Sequence, residues 1–377
     1  MGKGLRAVRT ARGWSQERLI FEIERYARQH MLNVASSASL KTYVSEWENG
    51  RRAITERYAV ILRPLLGVTD VELMGGEPAR AVPQQADSYE DLLSRIDSAR
   101  SVSDSMVNTF MDQTELLRTM DRQMGASGLV DQMNGHLTTM EDALTFAVLP
   151  GTRRPIATAL AGAATLAAWQ ALDVGSVERA WRHYELAKRA AQDADAPQYL
   201  AHAMGEQAYV LGDAGRPEMA VELIRDAQRT HAERQSPRLR AWLSAAEAEL
   251  CAAAGMHDDS RHALDRAAAT LPEGAHARDS DMLSIFLNGD HLARWRGNVL
   301  ALLGDSSAMD DLYASLQTTD PTFVRAKAGL HSDLTQAHLA RGEFDEARSN
   351  LQQARLLANR TGSVRHRRRV ELLTGRL

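Results

Sequence analysis

Few side chains in this sequence have the type and spacing that covalent chemistry needs. The single cysteine, Cys251, lies in an Ala-rich segment, where a thiol can serve as a small core residue or as a nucleophile; the apolar setting favours the core. His257, Asp258, Asp259 and His262 are metal-ligand types at close spacing. They fall at an expected helix turn, where polar residues occur for solvation alone. No metal and no cofactor are expected. The sequence contains no Gly-x-Gly-x-x-Gly, Gly-x-x-x-x-Gly-Lys, His-Glu-x-x-His or Gly-x-Ser-x-Gly string, so it reads as a binding protein rather than an enzyme. What it does carry is clustered guanidinium: Arg51 with Arg52, and Arg365, Arg367, Arg368 and Arg369. Such clusters suit phosphate clamping, or they are solvated turns and caps.

The elements that hold these residues belong to a globular, helical chain. Hydrophobic content is 44% and charged content 25%, while only 10 prolines and 5% aromatics favour helix over strand. Charge is divided unevenly. Residues 1–76 hold 12 Lys and Arg against 8 Asp and Glu; residues 77–377 hold 33 against 41. A basic head on an acidic body suits a head that meets a polyanion. One cysteine excludes a disulfide framework and fits a reducing compartment. The charged start lacks the apolar run of a signal peptide, so a cytoplasmic location is expected. The longest apolar stretch, Ile156 to Leu172, is interrupted by Thr158, Thr165 and Gln170 and is shorter than a membrane span of about 20 residues. It reads as a buried helix, with no membrane partner.

The head, residues 1–75, shows short helices separated by turn signals. One runs from Gly4 to Arg12, with Leu5, Val8 and Arg9 inward, and Gly13 ends it. Ser15 caps a second from Gln16 to about His30, with Leu19, Ile23, Tyr26 and Ala27 on one face. After a polar loop over 33–39, Ser39 is placed to cap a third, Leu40 to Glu48, stopped by Asn49-Gly50. A fourth spans Thr55 to Leu66 before Gly67.

Two anchored strings now carry a resemblance: Gly13-Trp14-Ser15-Gln16-Glu17-Arg18-Leu19, and Val44-Ser45-Glu46-Trp47-Glu48-Asn49-Gly50-Arg51-Arg52. Over residues 3–74 the chain resembles the phage-repressor-like (XRE, Cro/C1-type) helix-turn-helix family. The resemblance implies that the helix at 40–48 enters the major groove of double-stranded DNA. It implies a phosphate contact for Gln16, an outward face of Lys41, Thr42, Ser45 and Glu46, with Asn49 at its end, and core positions for Val44 and Trp47. Arg51 and Arg52 would clamp phosphates. The loop before the third helix is longer than in minimal phage repressors. Glu46 departs from the basic or amide side chain common there; it could accept from a cytosine amino group, or pair with Arg51 or Arg52.

Residues 76–87, with two Gly and two Pro, read as a linker. Ser88 to Met124 reads as helical and Met-rich, with a stripe of Met106, Phe110, Leu117, Met120 and Met124. Leu129 to Leu149 repeats Val130, Met133, Leu137, Met140 and Leu144 in three- and four-residue steps. This 88–150 region is either an intramolecular hairpin leading into the rest or a dimerisation seam.

From 151 to 377, glycines recur at 175, 215, 255, 304 and 342, each after an Ala-rich helix. Small, bulky and small residues follow five, nine and twelve positions on: Ala180, Tyr184, Ala187; Ala220, Ile224, Ala227; Ser260, Leu264, Ala267; Ala347, Leu351, Ala354. The copy after Gly304 is degenerate, with Met309, Tyr313 and Leu316. The pattern resembles the tetratricopeptide repeat over roughly 156–360, clearest in Ala-Arg-Gly-Glu-Phe-Asp-Glu-Ala at 340–347, with a capping helix behind it. The expected fold is all-α: a helix-turn-helix bundle, then a right-handed α-solenoid. On the tetratricopeptide frame, first helices line a concave groove. Its candidates are Trp169, His202, Tyr209, Asp213, Trp242 and Glu249, continuing with His291, Arg294, Asn298, Ser332 and Gln336. The mix suits a peptide or small-molecule effector, although any one of these can be an ordinary packing residue. The layout resembles cytosolic effector-sensing transcriptional regulators that bind palindromic sites as homodimers. The alternative is a protein-interaction scaffold whose head does not bind DNA.

Overall fold

The computed structural model describes residues 3–29, 32, 34–49, 51–52, 54–68, 89–274, 282 and 284–377. Among them are eighteen α-helices and no strand. They form two compact units, Met1–Leu92 and Leu93–Leu377. The expected linker at 76–87 lies outside the described residues.

The first unit holds α1 (Lys3–Ala11), α2 (Gln16–Gln29), α3 (Ser37–Glu48) and α4 (Glu56–Leu66). Ser15 caps α2, its hydroxyl accepting from the Arg18 N–H at 3.0 Å. The cap of α3 is Ser36 rather than Ser39, and the helix begins three residues earlier than expected. Ser36 is extended, with its hydroxyl toward the Ser39 N–H, so Ser39 becomes the third helical residue. Leu5, Leu19, Ile23, Leu40, Val44, Ile61 and Leu62 are fully buried and make the core, with Trp47 against Tyr58 at 5.0 Å between centroids. Arg9 and Glu48 cross this core as a buried ion pair.

The boundary between the units falls within α5 (Tyr89–Arg100), which α6 (Asp104–Met124) follows. Both lie in the stretch 88–124 expected to be helical. The helix breaks at residues 101–103 because Ser103 takes an extended conformation and caps α6 through Met106 N. Phe110 and Leu117 of the Met-rich stripe are buried, whereas Met106 and Met124 are exposed. α7 (Val130–Phe146) turns Met133, Leu137 and Met140 into the core of its own chain. The seam is thus consumed inside the fold and is not a free dimer surface.

Five hairpins follow: α8 (Pro150–Asp173) with α9 (Val177–Asp193), α10 (Pro197–Asp213) with α11 (Pro217–Arg229), α12 (Pro237–Ala253) with α13 (His257–Thr270), α14 (Gly289–Leu302) with α15 (Ala308–Thr318), and α16 (Val324–Arg341) with α17 (Phe344–Thr361). α18 (Val364–Thr374) ends the chain. The array is a helical solenoid. The five turn glycines share a φ between 72° and 81°, the left-handed region only glycine enters freely. The residues five and twelve positions after Gly175, Gly215, Gly255 and Gly342 are fully buried and let the paired helices approach closely.

The fourth hairpin is not degenerate but shifted by one residue. Its buried triple is Ala308, Leu312 and Ser315, and Tyr313 is exposed. The turn after Gly304 is longer, so α15 starts two residues later than its counterparts. The wide spacing before Gly304 comes from the connection between Thr270 and Gly289, where Met282, Ile285 and Leu287 enter the core. α8 is long and apolar enough, by length and composition, to cross a membrane, but most of it is buried in the array, its Ala residues meeting the neighbouring helices.

The array's last helices return to its first. Ser363, at the start of α18, donates to Asp173 at the end of α8 at 2.6 Å. Arg325 of α16 reaches Asp121 of α6 at 2.5 Å and Asp173 at 3.7 Å. α6 and α8 thus stand against α16 and α18.

Candidate functional site

In the head, α3 presents Lys41 and Thr42 to solvent, with Ser45 and Glu46 half-buried beside them. Val44 and Trp47 point inward. The other expected contacts are partly engaged within the protein. Gln16 donates its amide to Glu48 at 2.7 Å, so it braces the buried Arg9–Glu48 pair. Burial alone would raise the Glu48 carboxyl, but the hydrogen bonds from Arg9 and Gln16 hold it below its ordinary range. The Asn49 amide caps α3 on the Ser45 carbonyl at 2.8 Å. Arg52 lies over the Tyr43 ring, 3.8 Å from its centroid, and 3.4 Å from Glu46. Of the two alternatives for Glu46, the one observed is this pairing. Arg51 is exposed and has no ion-pair partner among the described residues. The free donors on this face are therefore Lys41, Thr42 and Arg51.

In the array, the inner surface holds a cavity of about 390 Å³. Its wall includes eight of the eleven groove candidates: Trp169, His202, Tyr209, Trp242, Glu249, His291, Arg294 and Asn298. First helices at helical spacing bring them together, as the repeat frame implies. Trp242 forms edge contacts with His202 at 4.9 Å and with Trp295 at 5.8 Å. Glu249 bridges three hairpins, accepting from Tyr209 Oη and Trp295 Nε1, each at 2.8 Å.

Three candidates lie elsewhere. Asp213 is outside the cavity and accepts from Arg365 at 2.8 Å. Ser332 is buried, its hydroxyl turned to the Ala328 carbonyl of its own helix. Gln336 also lies off the cavity. On α16 the inward residues are Arg325, Gly329 and Asp333, one position round the helix from the expected register.

The largest part missed comes from outside the repeats. α6 contributes Arg118, Asp121 and Arg122, and the connection before α14 contributes Ser284 and Phe286. α18 contributes Arg365, His366 and Arg369. That helix is a cap, as expected, yet Arg365 and Arg369 are half-buried and engaged inside the array. Arg365 stacks over Trp169 and Tyr209 at 5.3 and 5.4 Å, and Arg369 reaches Asp333 at 2.5 Å. Arg369 follows Arg365 by four residues and His366 by three, the one spacing that could have set them on a single face.

Cys251 is fully buried, and burial pushes its thiol up to about 11, so it is a core residue. Asp259 of the metal-like cluster accepts from Arg225 at 3.0 Å.

No family model matches the chain, and no characterised relative does. Among solved structures, PlcR from Bacillus thuringiensis, crystallised in complex with the peptide PapR7 and DNA, is similar with a TM-score of 0.38. It is 12% identical, and the match covers 93% of this chain and 98% of that one. That degree of likeness is too slight to argue from.

Proposed function

We propose that this chain is a sequence-specific, DNA-binding transcriptional regulator of the XRE helix-turn-helix type, whose repeat array senses an effector. The observation that carries the reading is α3: a helix with Val44 and Trp47 anchored inside, a polar outer face from Lys41 to Glu46, and Arg51 and Arg52 directly after it. That combination fits a helix laid against base edges with cations on the flanking phosphates. The array supplies the second half, a cavity walled by polar and aromatic side chains. An effector acts by binding one arrangement of the array better than another. The protein works in the cytoplasm as a homodimer on a palindromic site, with the dimer surface lying outside the α7 seam.

The test is footprinting on genomic fragments at low salt, followed by Arg51→Ala/Arg52→Ala. The double variant binds all sequences more weakly, and the slope of log affinity against log salt flattens by up to about 2, roughly one per lost phosphate contact. Unchanged affinity and slope would remove the phosphate role. A scaffold without DNA binding is the second reading. Its support is the internal engagement of Gln16, Glu46 and Arg52, and the absence of any protected site at low salt would select it.

A further inference from the structure

The cavity wall contains one cation that the protein itself does not neutralise. Arg118 is paired with Glu115, Arg325 with Asp121, Arg365 with Asp213 and Arg369 with Asp333. Arg294 has no hydrogen-bond or ion-pair partner among the described residues; Asp333 and Glu249 act on it only through space. Burial pushes its guanidinium down, the mark of a cation that its surroundings do not fully compensate. The neighbouring imidazoles report the same field. His291 is pushed down to about 3 by burial, then by Arg294 and Arg122; His366 is pushed down to about 3 by burial, then by Arg365, Arg369 and Arg325. A half-buried cation on a cavity wall with no ion-pair partner of its own is a reason to look for one outside the chain.

The rest of the wall says what that partner carries. Trp242 and Trp295 meet edge to face on one side, and Phe286 stands against His291 at 4.3 Å on another. His202 is buried, with Nδ1 unpartnered beside Trp242. A cavity of about 390 Å³ lies at the small end of the range for small-molecule ligands.

We propose that the array cavity binds a small organic acid with an aromatic body, its anionic group on Arg294 and its rings against Trp242 and Trp295. The assignment rests on reading the array as the effector-sensing part, but its test does not involve DNA. Two fluorescent probes differ in the one feature at issue: 1-anilinonaphthalene-8-sulfonate carries an anion on its aromatic body, and N-phenyl-1-naphthylamine is the same body without it. Titrated into the full chain, the sulfonate binds at one site per chain, at least tenfold tighter than the neutral amine. Arg294→Met weakens the sulfonate at least tenfold and leaves the amine within twofold. Arg348→Met, on the exposed face of α17, changes neither.

Equal affinity for the two probes overturns the proposal, as does sulfonate binding that Arg294→Met leaves intact, or no binding by the wild type. If the Arg294→Met chain does not fold, the wild-type comparison alone decides. A clear footprint on DNA with probe parity removes this ligand class and leaves the regulator standing. The sulfonate preference without any footprint does the reverse.

Discussion

At the scale of single residues, the most consequential contact is Arg9 with Glu48. Both are buried, their closest approach is 2.6 Å, and Arg9 also holds the Trp14 carbonyl at 2.5 Å. The pair ties α1 to the end of α3, so it sets where the outer face of α3 points. Removing one partner strands the other charge in the core, at a cost of about 3–5 kcal/mol. Glu48→Gln therefore lowers head stability by an amount in that range in urea titrations followed by tryptophan fluorescence. Because the folded carboxyl is held low, its contribution is present above the unfolded pKa of about 4.3 and is lost as pH falls through the lower folded value. Only the first of these two residues was legible beforehand. Arg9 fell on the inward stripe of a nine-residue helix, but Glu48 stood in a string of polar residues at a helix end, where a charge usually faces water. Gln16 and Glu46 have types that fit DNA, and nothing local says that partners 32 and 6 residues away also engage their side chains.

At the scale of elements, the sequence was most readable where backbone geometry demands a residue type. Each hairpin turn needs a positive φ, and a glycine stands at each. The small residues of the second helices were equally plain, because only Ala or Ser allows the close approach. The shifted fourth hairpin was hidden by its longer turn: Ala308, Leu312 and Ser315 keep the small-large-small order one residue early. Register on a helix is a matter of about 100° per residue, so a frame placed one residue off misses the lining face, as for Ser332 and Gln336 on α16. Two glycines separate conformational strain from contact. A Cβ at Gly215 would meet nothing within 4 Å, whereas at Gly125 it would come within 2.3 Å of the Thr361 carbonyl, and both have a positive φ. Gly215→Ala costs the left-handed penalty alone, about 1–2 kcal/mol. Gly125→Ala adds a backbone clash between α6 and α17, about 1–3 kcal/mol more. Urea midpoints of the two variants, compared at equal m, read the difference; equal losses would mean that α6 and α17 do not meet this closely.

At the scale of the array as a whole, the property no local pattern announced is its closure, because the contacts that make it join residues as far apart as Asp173 and Ser363. Charged residues on helices read as surface, yet Asp121, Asp173 and Arg325 lie inside where first and last helices meet. Closure turns an open concave face into a cavity, and burial there, with the neighbouring arginines second, keeps His291 and His366 neutral. The consequence for stability has a definite sign. In the unfolded chain these imidazoles take up a proton near pH 6.5; in the folded array they do so only near pH 3. The stability they leave intact above pH 6.5 is therefore lost progressively as pH falls below it, with a slope approaching about 1.4 kcal/mol per pH unit for each. Most carboxylates titrate little between pH 6.5 and 5, but the buried Asp121 carboxyl is pushed up and acts with the opposite sign, so the histidine share is read from the difference between wild-type and variant thermal melts. His291→Gln/His366→Gln makes the decline shallower, by as much as two such slopes. An anion held on Arg294 offsets the same field, so 1-anilinonaphthalene-8-sulfonate at saturation flattens the wild-type decline as well. Equal declines of wild type and variant between pH 6.5 and 5 would mean that the imidazoles are open to protons in the fold, and the positive cavity inferred from them would have to be given up.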